Sequence, residues 1–213
     1  MNQIQANKYS IAWFKLAECV SRRERERALG VYRLLAHSFD NPALACQLEA
    51  DIILAFNEPG SAISKYLQAA QLYEKQGELM QAIAVYDHII MLQDSAQLFI
   101  KMIESAARMQ DTKSISVYIK RLCHYLIQKG DIGQLIMLIQ ESDIEFNLQA
   151  AFLIETIGII VEDKNIERQI KLRLINQSVQ FLMQDDQVLK LLLLTLKNLD
   201  NDAYEYACAC LGQ

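Results

Sequence analysis

The side chains best suited to nucleophilic or metal chemistry in this 213-residue chain are three histidines, His37, His88 and His124, and five cysteines, Cys19, Cys46, Cys123, Cys208 and Cys210. No histidine pair stands at the one-turn spacing of an H-E-x-x-H zinc site. Cys123 and His124 are adjacent, which on a helix turns the two side chains about 100° apart and spoils them as nucleophile and base. The pattern reads better as Cys123 in a core and His124 on a surface. Cys208 and Cys210, two apart on a helix, face different ways, and no second Cys or His pair completes a zinc site with them. The seven glycines, Gly30, Gly60, Gly77, Gly130, Gly133, Gly158 and Gly212, form no G-x-x-x-x-G-K-S/T or G-x-G-x-x-G loop for phosphate. Asp185-Asp186 falls at a helix junction, where capping accounts for it better than acid–base catalysis. The sequence therefore offers no catalytic residue, no metal site and no cofactor loop, and it reads as a protein that is not an enzyme.

Composition points to binding by surface shape. Hydrophobic residues make up 52% of the chain and charged ones 22%, enough to bury a core without disulfides or a structural metal. Net charge is −5, which argues against a nucleic-acid partner, since phosphate neutralisation needs a concentrated basic face. The first forty residues are locally basic, with seven cations against four carboxylates, but Arg22-Arg23-Glu24-Arg25-Glu26-Arg27 alternates in sign and reads as a solvated helix face. No apolar run reaches the roughly 18 residues that span a bilayer, and the odd, unpatterned cysteines fit a reducing compartment, so a cytoplasmic location is expected. The last four residues, Cys210-Leu211-Gly212-Gln213, formally fit a prenylation signal, but Gly212 is a poor aliphatic member and acidic residues precede it.

These residues must be positioned by helices. Two prolines and seven glycines supply too few turns for a multi-stranded sheet, whereas apolar residues recur at i, i+3, i+4 and i+7 almost throughout. The punctuation predicts about twelve helices, over residues 9–19, 21–39, 42–57, 61–76, 78–92, 95–109, 113–129, 131–141, 145–161, 164–184, 186–199 and 202–210. Ser21 and Glu24 have the spacing of a capping box, Asn41-Pro42 starts the third helix, and Gly77 supplies a left-handed turn residue. Residues 186–199 carry Val188, Leu189, Leu191, Leu192, Leu193, Leu194, Leu196 and Leu199, apolar on nearly every face. Such a helix should be covered on several sides, as the central helix of a C-terminal bundle or as one side of an interface such as a homodimer seam.

Within residues 63–96, Tyr66, Ala69, Ala70 and Tyr73 make one stripe, Gly77 ends it, and Ala82, Tyr86 and Ile89 make the next. Small Ala70 and Ala82 would let two antiparallel helices approach closely. This segment resembles the tetratricopeptide repeat, a helix-turn-helix unit of 34 residues. Ile89 and Asp94 stand where the pattern has alanine and proline. One period earlier, residues 29–62 place Tyr32, Leu35, Ala36, Phe39 and Ala55 in register, with Leu48 replacing a small residue. Residues 116–149 place Ile119, Leu122, Cys123, Leu126, Gly130, Leu135 and Ile139.

The resemblance implies an all-α, right-handed superhelix of antiparallel hairpins, an α-solenoid whose concave face is lined by the first helix of each repeat. It divides the chain into an N-terminal cap at 1–28, repeats at 29–149 and helical hairpins at 150–213. Carried over by position, the partner-binding residues are Arg33 and His37, then Leu67, Gln71 and Glu74, then Lys120 and His124. The asparagines with which some members clamp a chaperone's terminal carboxylate are absent, His37 standing in place of the amide. The expected function is a non-enzymatic scaffold or adaptor that takes a protein or peptide in the groove. A narrower version is a secretion-type chaperone for an extended client, and the competing class is an enzyme with its site in residues 150–213.

Overall fold

The computed structural model describes residues 3–212, with side chains from residue 11 onward. Among the described residues there are twelve α-helices and no strand, as the hydrophobic spacing requires. They are α1 (Gln3–Ser21), α2 (Arg25–Ala36), α3 (Pro42–Ala55), α4 (Pro59–Gln76), α5 (Leu79–Leu92), α6 (Ala96–Arg108), α7 (Thr112–Lys129), α8 (Leu135–Gln140), α9 (Phe146–Glu162), α10 (Arg168–Leu182), α11 (Asp186–Leu199) and α12 (Asn201–Leu211). A short 3-10 turn, Ile132–Gln134, leads into α8. Two compact units divide the chain, Met1–Asp94 with α1 to α5 and Ser95–Gln213 with α6 to α12.

One turn design is used five times. Arg23, Asn57, Gly77, Gln110 and Gly130 all adopt the left-handed conformation, with φ between 57° and 77°. In each case the next residue is acidic and starts the following helix: Glu24, Glu58, Glu78, Asp111 and Asp131. The amide of that acidic residue donates to the carbonyl five residues back, as in Glu78 to Tyr73 and Asp131 to Leu126, both at 2.9 Å, which closes a Schellman motif. A carboxylate then sits at the positive end of the next helix dipole. Only two of the five left-handed positions are glycine. Because an L side chain in this region costs about 1–2 kcal/mol, Gln110→Gly should stabilise the protein by up to about 1 kcal/mol, and Gly77→Ala should destabilise it by about 1 kcal/mol. Opposite shifts of the urea midpoint are the expected result, and a destabilised Gln110→Gly would contradict it.

The capping box expected at Ser21 does not form. The left-handed residue falls at Arg23, so Ser21 stays in the last turn of α1 and its hydroxyl donates to the Glu18 carbonyl at 2.9 Å, while α2 begins after Glu24. Asn41 does cap α3, accepting from the amides of Ala43 and Leu44 at 2.9 and 3.3 Å. Asp185 and Asp200 cap α11 and α12 in the same way.

In the first unit α4 packs between α3 and α5. Ala43 and Ala50 of α3, Ala62, Ala69 and Ala70 of α4, and Ala82 of α5 are fully buried, so small side chains mark the crossings. Tyr32, Tyr66, Tyr73 and Tyr86 are buried, and each hydroxyl reaches a polar group: the Ala45 carbonyl at 2.8 Å, Asp51, Gln47 at 3.0 Å and Glu74 at 3.1 Å. Burial pushes the Tyr32 phenol up to about 12.

In the second unit the central helix is α9, which packs against α7, α8, α10 and α11. Phe152, Leu153, Ile154, Ile157, Ile160 and Val161 are all buried there. Gly158 faces Leu199 of α11, and a Cβ there would make ordinary van der Waals contact with Leu199 Cδ1. The leucine-rich α11 is thus not the centre of the bundle. It packs against α9, α10 and α12 and buries Leu189, Leu192 and Leu196, while Leu191 and Leu194 are more than half exposed among the described residues.

Candidate functional site

An apolar concavity lies in the first unit, between α1 and α3. Trp13, Leu16, Ala17, Val20 and Ser21 form one wall and Leu48, Asp51, Ile52 and Ala55 the other, around a cleft of about 400 Å³. On α1 the residues 13, 16, 17 and 20 recur at one-turn spacing, which is why they share a wall. Trp13 stays 42% exposed at the rim and meets Phe39 edge-on at 6.0 Å between ring centres. Nearby on α1, Ile11 and Phe14 are also exposed.

The basic run at the end of α1 has a positioning role that sequence reading did not assign to it. The Arg23 guanidinium donates to the Ala55 carbonyl at the end of α3. The Arg25 guanidinium is bidentate on Glu58, at 2.6 and 3.1 Å, and so ties the start of α2 to the cap of α4. Arg22 and Arg27 pair locally with Glu18 and Glu24. Asp51, the one carboxylate in the cleft, accepts from the Tyr66 hydroxyl, and burial together with this contact holds the Tyr66 phenol well above its ordinary range.

The residues assigned to partner binding lie in both units. Arg33, His37 and Gln71 are exposed and Leu67 is half-buried; Glu74 is half-buried and accepts from Tyr86. In the second unit Lys120 and His124 are exposed one turn apart on α7, and His124 bonds Gln128 through a 2.8 Å nitrogen–nitrogen contact. Cys123 faces the other way, buried against Thr156, and burial pushes its thiol up to about 11. A thiol so protonated is a poor nucleophile.

Two further clefts lie in the second unit. One, of about 250 Å³, is lined by Arg168, Lys171, Asp200 and Asp202 among apolar neighbours. Its polar groups already have structural tasks: Lys171 donates to the Val161 carbonyl at 2.8 Å and Asp200 caps α12. The other, of about 420 Å³ between α8 and α10, is lined by Gly133, Ile136, Met137, Gln140, Asn176, Gln177, Gln180 and Phe181. No motif marks it; the only signal in the sequence is the recurrence of amide side chains at one-turn spacing on α10. The buried Glu104 was also missed. It pairs with Lys101 at 2.6 Å and accepts from the Asp143 amide at 2.9 Å, pinning the loop between α8 and α9.

Among the described residues, no group of three or more His, Cys, Asp and Glu side chains gathers as metal ligands would, and no helix is long and apolar enough to cross a membrane. Comparison with models of known protein families and with curated protein sequences gives no match.

Proposed function

We propose that this chain is a non-enzymatic interaction module of tetratricopeptide-like helical hairpins that binds a protein or peptide partner, as a scaffold or adaptor. The observation that carries the reading is the apolar cleft between α1 and α3, with Trp13 half-exposed at its rim and Ile11 and Phe14 open beside it. A concavity walled almost entirely by hydrocarbon, next to exposed aromatic side chains, suits an apolar anchor of another polypeptide. The buried Tyr66, Ala70, Tyr73, Ala82 and Tyr86 support the repeat register from which Arg33, His37, Leu67, Gln71 and Glu74 are assigned to partner binding in the first unit. Lys120 and His124 are assigned the same role in the second.

A chaperone for an extended client is the narrower reading, favoured by the exposed methionines Met80, Met91, Met137 and Met183. Methionine is flexible and polarisable, and surfaces rich in it adapt to varied sequences.

The test is a titration of the partner that copurifies from the native cell. Trp13→Ala with Val20→Ser should weaken binding by about tenfold or more while the denaturation midpoint moves little, because Trp13 is at the rim. Arg33→Ala with Lys120→Ala should mainly slow association and flatten its salt dependence. A partner whose affinity is unchanged by the cleft variant would remove the α1–α3 cleft as the binding surface.

A further inference from the structure

We infer that the cleft between α8 and α10 recognises the backbone of an extended, largely uncharged peptide segment, with one acidic side chain of that segment meeting Arg173. The inference deepens the interaction-module reading, on which it rests, by adding a second site in the other unit with its own ligand chemistry.

Each wall is one helix face. Gly133, Ile136, Met137 and Gln140 recur at i, i+3, i+4 and i+7, one face of the 3-10 turn and α8. On α10, Asn176 and Gln180, and Gln177 and Phe181, form two one-turn pairs side by side. At about 1.5 Å per residue the first face runs about 10 Å, the length of about three residues of extended chain. The apolar floor is fixed, since Ile136 is buried and Phe181 packs on Phe146 with ring centres 5.4 Å apart. Met137, half-exposed, offers an adaptable contact for a client side chain.

Above that floor stand the amides of Gln140, Asn176, Gln177 and Gln180. Among the described residues none of these four side chains is engaged in a hydrogen bond or ring contact within the chain. A carboxylate only accepts and an ammonium only donates, but an amide does both, which is what the alternating N–H and C=O groups of an extended peptide need. The lining carries no charge, so it cannot neutralise phosphates. Cationic character enters at one end only. The Arg173 guanidinium crosses Gly133 so closely that a Cβ there would lie 2.3 Å from its Nη2. Arg173 has no ion-pair partner among the described residues, so an acidic client residue at that end completes it.

The experiment uses the full chain labelled with nitrogen-15 and three synthetic nonapeptides of alternating leucine and serine. One peptide has a central glutamate, one a central lysine and one neither; a nine-residue oligouridylate is the fourth probe. The glutamate peptide should bind best, moving the side-chain amide resonances of Gln140, Asn176, Gln177 and Gln180. Gln177→Glu with Gln180→Glu, both at exposed positions, should weaken it at least tenfold, and Arg173→Ala should bring it level with the uncharged peptide. Trp13→Ala with Val20→Ser should leave it unchanged. Peptides that fail to bind, that bind without moving those amides, or that bind the double glutamate variant equally well overturn the inference. So does an oligouridylate that binds more tightly than any of the peptides. If the copurified partner still depends on Trp13 while the nonapeptides fail, this inference alone falls and the α1–α3 reading stands.

Discussion

Aspartate at Leu192 is expected to unfold the Ser95–Gln213 unit, while aspartate at Leu194, two residues along the same helix, leaves it folded. Leu192 is fully buried and Leu194 is 56% exposed, although both belong to one run of leucines. Losing a buried leucine forfeits about 2–3 kcal/mol of transfer free energy, and the unpaired carboxylate adds a desolvation cost of several kcal/mol more. That sum rivals the roughly 5–15 kcal/mol that stabilises a whole domain. At Leu194 the carboxylate remains in water and the cost stays within about 0.5 kcal/mol. Circular dichroism melts separate the two outcomes, and equal midpoints would mean that the faces of α11 have been exchanged. The same pair tests whether α11 forms a homodimer seam, one of the two expectations that its leucine run raises. A dimer seated on the open Leu191 and Leu194 face should dissociate in Leu194→Asp with the helical signal intact, as read by sedimentation velocity.

The period of 3.6 residues is local, so it located the helices closely: 113–129 was expected where α7 runs Thr112–Lys129, and 186–199 coincides with α11. Tertiary neighbours are not local. A helix with leucine on nearly every face reads as central, but centrality belongs to α9, which buries Ala150, Leu153, Thr156, Ile157 and Ile160 among its neighbours. The segment 131–141 reads as one helix and instead opens with a 3-10 turn at Ile132–Gln134, alongside which Arg173 crosses Gly133. The left-handed turns at Arg23 and Gln110 lack the glycine that would have announced them; the acidic residue that follows each was the available signal. The candidate sites were less legible still. The Arg25–Glu58 clamp joins residues far apart in sequence, and the α8–α10 cleft is built from neutral amides that match no motif.

Leucine at Ala70 or Ala82 should destabilise the first unit by about 1–3 kcal/mol, and Gln71→Leu, beside the first of them, should change it by less than about 0.5 kcal/mol. The contrast follows from packing. Ala70 and Ala82 have no exposed surface at all on the packed helices α4 and α5, and the flanking Tyr66, Tyr73 and Tyr86 are buried, so a branched side chain has no space to enter without parting the helices. Parting them also strains the hydroxyl contact from Tyr86 of α5 to Glu74 of α4, which adds to the cost of overpacking. Gln71 points to solvent, where leucine loses little and helix propensity is nearly unchanged. For a chain of this length 1 kcal/mol corresponds to a shift of about 2–4 °C in melting temperature, so the two alanine variants should melt clearly below Gln71→Leu. Should all three melt together, the α4–α5 crossing is not close-packed, and the register that resembles a tetratricopeptide repeat loses its physical basis.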